Sequence, residues 1–220
     1  MGTRVADDPK VKRNIRLIVA AVAIFAAVAI FSVGSKLSGP RILNQYQLRD
    51  YGARVLEEPV ALAEFTLSDH RGASFGLEQV RGQWTMVFFG FTHCGDICPT
   101  TMAILAQTYG ALKPVDKADL QVVLVTVDPA RDSAEQLAKY LARFDSSFIG
   151  LNGSQEELMA FARQLLVAYE PELEGKDNYQ VAHSGNLMLI NPRGELHGYF
   201  RPPFVHGSLR VAWRSIRETF

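Results

Sequence analysis

Cys94 and Cys98 are the only cysteines among 220 residues, and both lie in the stretch Phe88-Phe89-Gly90-Phe91-Thr92-His93-Cys94-Gly95-Asp96-Ile97-Cys98-Pro99. Three residues separate them, so a helix whose first turn holds both would set the sulfurs on one face. That spacing serves two chemistries. The Cα separation suits a disulfide, and two neighbouring thiolates form a soft ligand pair for Cu(I) or Zn(II). Gly95, Asp96 and Pro99 interrupt any core periodicity around the pair, which argues against two cysteines buried only as small hydrophobes.

The elements on either side place the pair at a reactive position. Residues 84–89, Trp-Thr-Met-Val-Phe-Phe, have the β-branched and aromatic character of a strand buried on both faces. Residues 100–112 read as a helix. A strand-to-helix turn presents backbone N–H groups and the positive end of the helix dipole, and both favour thiolate over thiol.

His183 follows Cys98 by 85 residues, so no local finger includes all three, and only a folded sheet could bring the imidazole to the sulfurs. It precedes a predicted strand, between small residues that would let it reach across. His70, His197 and His206 fall in turns or on hairpin arms and receive no chemistry, His70 being read as a solvated loop residue. His93 adjoins Cys94, but adjacent residues on an extended chain point to opposite faces, which makes it a poor ligand.

The chain around this constellation begins with an apolar run. Residues 17–33 carry no charge and no proline, and with Ile15 and Gly34 they reach the length that crosses a bilayer core. No small-x-small cleavage site follows before Lys36, so an uncleaved anchor over residues 15–34 is expected rather than a signal peptide. Arg4, Lys10, Lys12, Arg13 and Arg16 precede it against Asp7 and Asp8. The positive-inside rule then keeps residues 1–14 in the cytoplasm and exports the rest. Without residues 1–16 the chain has 18 basic and 21 acidic residues, so nothing points to nucleic acid. Export also bears on the thiols, which outside the cytoplasm become oxidised unless a reductant or a metal holds them.

Residues 35–59 read as a tether and extended lead-in, and residues 60–220 as the exported domain. A hairpin is expected over residues 61–75, and a second buried strand over 121–127, stopped by Asp128-Pro129. Asp132-Ser133-Ala134-Glu135 and Ser154-Gln155-Glu156-Glu157 carry capping-box patterns opening two amphipathic helices. A short strand at 148–151 separates them. After an acidic, aperiodic loop over 169–180 come strand 187–190, a turn at 191–194, a returning arm at 195–200 and a closing helix over 208–219. The alternation of strand and helix predicts an α/β fold with parallel crossover units.

Three spaced motifs together resemble one family. They are Phe89-Gly90-Phe91-Thr92-His93-Cys94-Gly95-Asp96-Ile97-Cys98-Pro99, Val125-Thr126-Val127-Asp128-Pro129-Ala130-Arg131-Asp132, and Val181-Ala182-His183-Ser184 followed by a strand and Asn191-Pro192-Arg193-Gly194. In this order they closely resemble the Sco/SenC family over residues 55–220. The resemblance implies a thioredoxin-like domain on a single transmembrane helix in the inner membrane, facing the periplasm. It implies a copper metallochaperone with Cys94, Cys98 and His183 as metal ligands, delivering Cu(I) or Cu(II) to the CuA site of cytochrome c oxidase subunit II. Other periplasmic copper chaperones or thiol reductants are further implied partners. For Cu(II), Asp96 and Asp128 are candidate additional donors. The chain departs from the family pattern at Gly95, where proline is common, and at Ala182, where a carboxylate is common. The rival reading is a thiol–disulfide oxidoreductase that uses Cys94 and Cys98 as a redox pair to reduce the subunit's cysteines. Its CxxxC spacing differs from the usual CxxC, and that chemistry has no use for His183. A peroxidase reading lacks the threonine, cysteine and arginine arrangement it would need.

Overall fold

A computed structural model describes residues 9–37, 41–168, 170, 181 and 184–220. The chain divides between Arg41 and Ile42 into two compact units. The first contains helix α1, Pro9–Leu37. Its segment Lys10–Gly34 is long and apolar enough to cross a membrane, and none of it is buried within the protein.

The second unit opens with α2, Gln45–Asp50, capped by Asn44, whose side chain accepts the Gln47 N–H while Gln47 answers at the Asn44 N–H. Strand β1, Ala53–Ala61, is followed by the hairpin β2, Thr66–Asp69, and β3, Ser74–Gly76. A short helix α3, Leu77–Val80, leads into β4, Trp84–Gly90. Then come α4, Ile97–Gly110, α5, Pro114–Ala118, and β5, Leu120–Thr126. Helix α6, Ala134–Leu141, β6, Ile149–Asn152, and α7, Gln155–Gln164, complete the crossover region. The hairpin β7, Leu187–Ile190, and β8, Glu195–Phe200, precedes the last helix, α8, His206–Glu218.

The described strands form one sheet in the order β1-β8-β7-β4-β5-β6-β2-β3. The pairs β4–β5 and β5–β6 are parallel, joined through helices as expected, while β7 runs antiparallel to β4. All seven residues of β4 are buried, because β7 and β5 flank it and helices cover its faces. Phe88 and Phe89 have no exposed surface, and each such side chain contributes about 1.5–3 kcal/mol by leaving water. On α8 the residues Leu209, Ala212, Trp213 and Ile216 are buried. The Ser215 hydroxyl on the same helix accepts the Leu43 N–H at 2.7 Å, tying the start of the unit to its end.

The lead-in reading of residues up to 59 is corrected here. Residues 45–50 are helical and β1 pairs antiparallel with β8 from Ala53↔Phe200 to Ala61↔Glu195. β1 is an edge strand whose register slips between Val55 and Val60. An edge accommodates Glu57, Glu58 and Pro59, the residues that hide the strand in the sequence. The hairpin is present but its first arm begins at Thr66. His70 is no solvated loop residue either: its N–H donates to the Gly150 carbonyl at 2.8 Å, and its Nδ1 accepts the Gly150 N–H at 3.0 Å. Of the two expected capping boxes, the one at Ser154 and Glu157 forms. At the other helix Ser133 caps alone, accepting the Gln136 N–H. The expected loop over 169–180 lies outside the described residues except for Glu170.

Candidate metal centre

β4 ends at Gly90, and the chain turns through Phe91 to Asp96 before α4 begins. The helix starts three residues earlier than the sequence suggested, because Pro99 falls in its first turn, where no N–H is needed from it. Cys98 is therefore helical and Cys94 is not. The two meet because the loop folds back over the helix N-terminus: the Cys98 N–H donates to the Cys94 Sγ at 3.4 Å, and the Cys94 N–H to the Phe91 carbonyl at 3.3 Å. Both are thiols, Cys98 buried and Cys94 half-buried. Gly90 makes room for them. A Cβ there would lie 2.9 Å from the Phe88 ring and 3.2 Å from the Cys98 Sγ, so any side chain would push the sulfur off the strand end.

The pair is electrostatically unequal. Burial disfavours a Cys94 thiolate, but the Cys98 thiol and the N–H groups of Asp96, Cys98 and Ile97 outweigh it and hold the Cys94 pKa below the ordinary thiol value. Burial pushes the Cys98 thiol up, and its hydrogen bond to Cys94 adds to the rise.

Behind the loop sits Asp132, which has no exposed surface. Its carboxylate accepts the Thr92 N–H at 3.1 and 3.2 Å, the Thr92 hydroxyl at 2.6 Å and the Thr126 hydroxyl at 2.7 Å. It thereby joins the cysteine loop to the end of β5. The sequence pattern had assigned Asp132 to a helix cap, and the correction follows from the parallel register, which sets Gly90 beside Thr126. Burial raises its pKa, against the pull of the Thr92 and Thr126 donors. His93 engages the same group: its Nδ1 is 3.1 Å from the Thr92 hydroxyl and 3.6 Å from Asp132 Oδ1.

Asp96 occupies the N-cap of α4 without a side-chain cap bond, and Asp128 is buried and ion-paired with Arg131. Among the described residues no three His, Cys, Asp or Glu side chains assemble into a group that could hold a metal. Neither aspartate therefore completes a site with the cysteines. His183 and Ala182 lie outside the described residues. The chain on either side is fixed: Val181 is buried, and the Ser184 N–H donates to the Ala168 carbonyl at 2.9 Å. Leu187, at the start of β7, pairs with Phe88 in β4. Since those strands are antiparallel, the segment entering β7 and the loop leaving β4 emerge at the same end of the sheet.

A thiol pair on the strand-to-helix turn of a thioredoxin-like α/β sheet, in a chain that also carries one membrane-length helix, defines the class. The chain belongs to the SCO1/SenC family, whose family model matches residues 54–212. It is 41% identical over 152 residues to a putative copper-binding protein of Stutzerimonas stutzeri, covering 69% of this chain and 74% of that one. To the mitochondrial SCO2 homolog of Mus musculus it is 38% identical over 160 residues, 71% of this chain but 62% of the mouse protein. The structure of Arabidopsis thaliana ScoI with copper bound superposes with a TM-score of 0.66 at 31% identity, over 72% of this chain and 98% of that one. These matches bear out the expected α/β sheet with flanking helices.

Proposed function

We propose that this chain is a membrane-anchored copper metallochaperone that carries Cu(I) between Cys94, Cys98 and His183 and delivers it to the CuA site of cytochrome c oxidase subunit II. The observation that carries the reading is the Leu187↔Phe88 register. His183 precedes Leu187 by four residues and Cys94 follows Phe88 by six, so both ligand-bearing segments issue from one end of two adjacent strands. Relatives named for copper binding or crystallised with copper support the choice of metal.

Two thiolates and one imidazole make a soft, low-coordinate site suited to Cu(I). The absence of a fourth strong donor leaves one face open, so an acceptor thiolate enters as a ligand leaves and no free ion is released. Residues 15–34 anchor the chain in the inner membrane, with the basic N-terminus in the cytoplasm and the sheet domain in the periplasm. The test is Cu(I) affinity of the full chain in detergent, measured by competition with a chromophoric chelator. His183→Ala is expected to weaken binding by about tenfold or more. Unchanged affinity would contradict the site.

The inequality of the two sulfurs favours a second activity at the same pair, thiol–disulfide exchange. The Cys94 sulfur attacks a disulfide of the target, and Cys98 then displaces the reduced target thiol, so two target thiols form as Cys94 and Cys98 become a disulfide. In the metal-free protein, Cys94 is expected to react with iodoacetamide with a midpoint below the ordinary thiol pKa while Cys98 stays protected. Peptide mapping across the pH series reads this directly. Two cysteines titrating together would remove the basis for exchange.

A further inference from the structure

The turn after α2 and the turn after β8 are joined backbone to backbone. Gly52, with φ of +78°, accepts the Arg201 N–H at 2.9 Å, and a Cβ on Gly52 would lie 3.2 Å from the Arg201 carbonyl oxygen. Glycine is what allows this approach. The junction brings Arg49, Arg54 and Arg201 around one open groove of about 580 Å3, whose walls include the apolar surfaces of Tyr51, Pro202 and Val205.

The guanidinium groups of Arg49 and Arg54 are held by neutral partners. Arg54 Nη1 donates to the carbonyls of Arg49 at 3.3 Å and Ala53 at 3.0 Å, and the Arg49 guanidinium lies 5.8 Å from the centre of the Tyr46 ring. Several arginines elsewhere in the domain face carboxylates, as Arg81 does Glu78, Arg193 does Glu195 and Arg214 does Asp116, while Arg143 lies over the Tyr140 and Phe144 rings. Among the described residues no carboxylate lies within ion-pair distance of Arg49, Arg54 or Arg201; Asp50, the one acidic residue of the lining, makes no such pair. Three arginines against one aspartate leave the groove lining with an excess of positive charge, and an anion seated there offsets that excess.

We infer that this groove is a docking site for an acidic peptide segment of a partner protein. The arginine fork matches carboxylates in bidentate fashion, and the apolar walls between the charges suit the side chains of an extended chain, which a phosphate headgroup lacks. Asn186, on one lip of the groove, is three residues from His183 in the sequence. On the metal-delivery reading, on which this identification rests, the partner is the protein that accepts the metal.

The test uses the full chain in phosphatidylcholine nanodiscs with a fluorescein-labelled decaglutamate as probe and a decaglutamine as its neutral match, read by anisotropy. Decaglutamate is expected to bind and decaglutamine is not. The double variant Arg49→Glu/Arg201→Glu should weaken binding at least about tenfold, whereas Lys139→Glu, an exposed site on α6 outside the groove, should leave it unchanged. An equal loss in Lys139→Glu, no binding of decaglutamate, or variant-sensitive binding only to phosphatidylglycerol nanodiscs would each overturn the inference. Cu(I) affinity keeps the two readings apart. The groove variant should retain its Cu(I) affinity, and His183→Ala should retain the peptide while its Cu(I) affinity falls about tenfold or more.

Discussion

Replacing either cysteine by serine is expected to remove Cu(I) binding by at least about a hundredfold, since altering groups that merely support a metal ligand already costs 10–100-fold. Serine keeps the shape and one hydrogen bond but offers a hard, protonated oxygen where the ion needs a soft anion. The two variants should part company in stability. Cys94 is half-buried, and a hydroxyl there reaches water, so Cys94→Ser should unfold in urea with a midpoint close to the parent. Cys98 has no exposed surface and its Sγ sits against the end of β4 at Gly90. A hydroxyl confined there loses hydration, at a cost of about 1–2 kcal/mol. Copper binding lost in both with stability lost in only one would mark the sulfurs as the ligands. Copper retained in Cys94→Ser would sink the assignment, because Cys98 alone is one soft donor in a buried site.

The sequence displayed what depends on local pattern. β4 and β5 were legible because a strand buried on both faces must be apolar throughout, and α7 because Ser154 and Glu157 cap it reciprocally. The cysteine pair was legible because reactive side chains at a strand-to-helix turn stand out against core periodicity. What stayed hidden depends on partners distant in sequence. β1 alternates weakly, since an edge strand bearing Glu57, Glu58 and Pro59 has only β8 beside it. His70 looks like a loop residue until β6 arrives to pair with it. Asp132 looks like a helix cap until the register of β4 and β5 delivers Thr92 and Thr126 to its oxygens. Such residues carry no period of their own.

Asp132→Ala is expected to cost about 2–4 kcal/mol of folding stability, read from urea unfolding of the full chain. Three protein donors converge on the carboxylate, and its removal takes the acceptor from the buried Thr126 hydroxyl and from the half-buried Thr92 N–H, while the Thr92 hydroxyl keeps His93 and Gln136 within reach. Relief of the carboxylate's own desolvation offsets part of that loss. Asp132→Asn keeps one acceptor oxygen and should fall between the parent and alanine. The aspartate's pKa, raised by burial, fixes how the gap between parent and Asn varies with pH. Since the folded pKa exceeds the unfolded one, the native state holds the proton more tightly. The carboxyl's favourable contribution is therefore complete below the unfolded pKa and lost as pH rises through the folded one. The parent's advantage over Asp132→Asn, which has no group to titrate at this position, should thus be larger near pH 4 than near pH 7, the approximate span around the carboxylate range. An advantage that grew with pH would mean that the threonine donors, not burial, dominate the charge at this position. In that case the loop bearing Cys94 would be held by an ionised clasp at neutral pH more strongly than the structure implies.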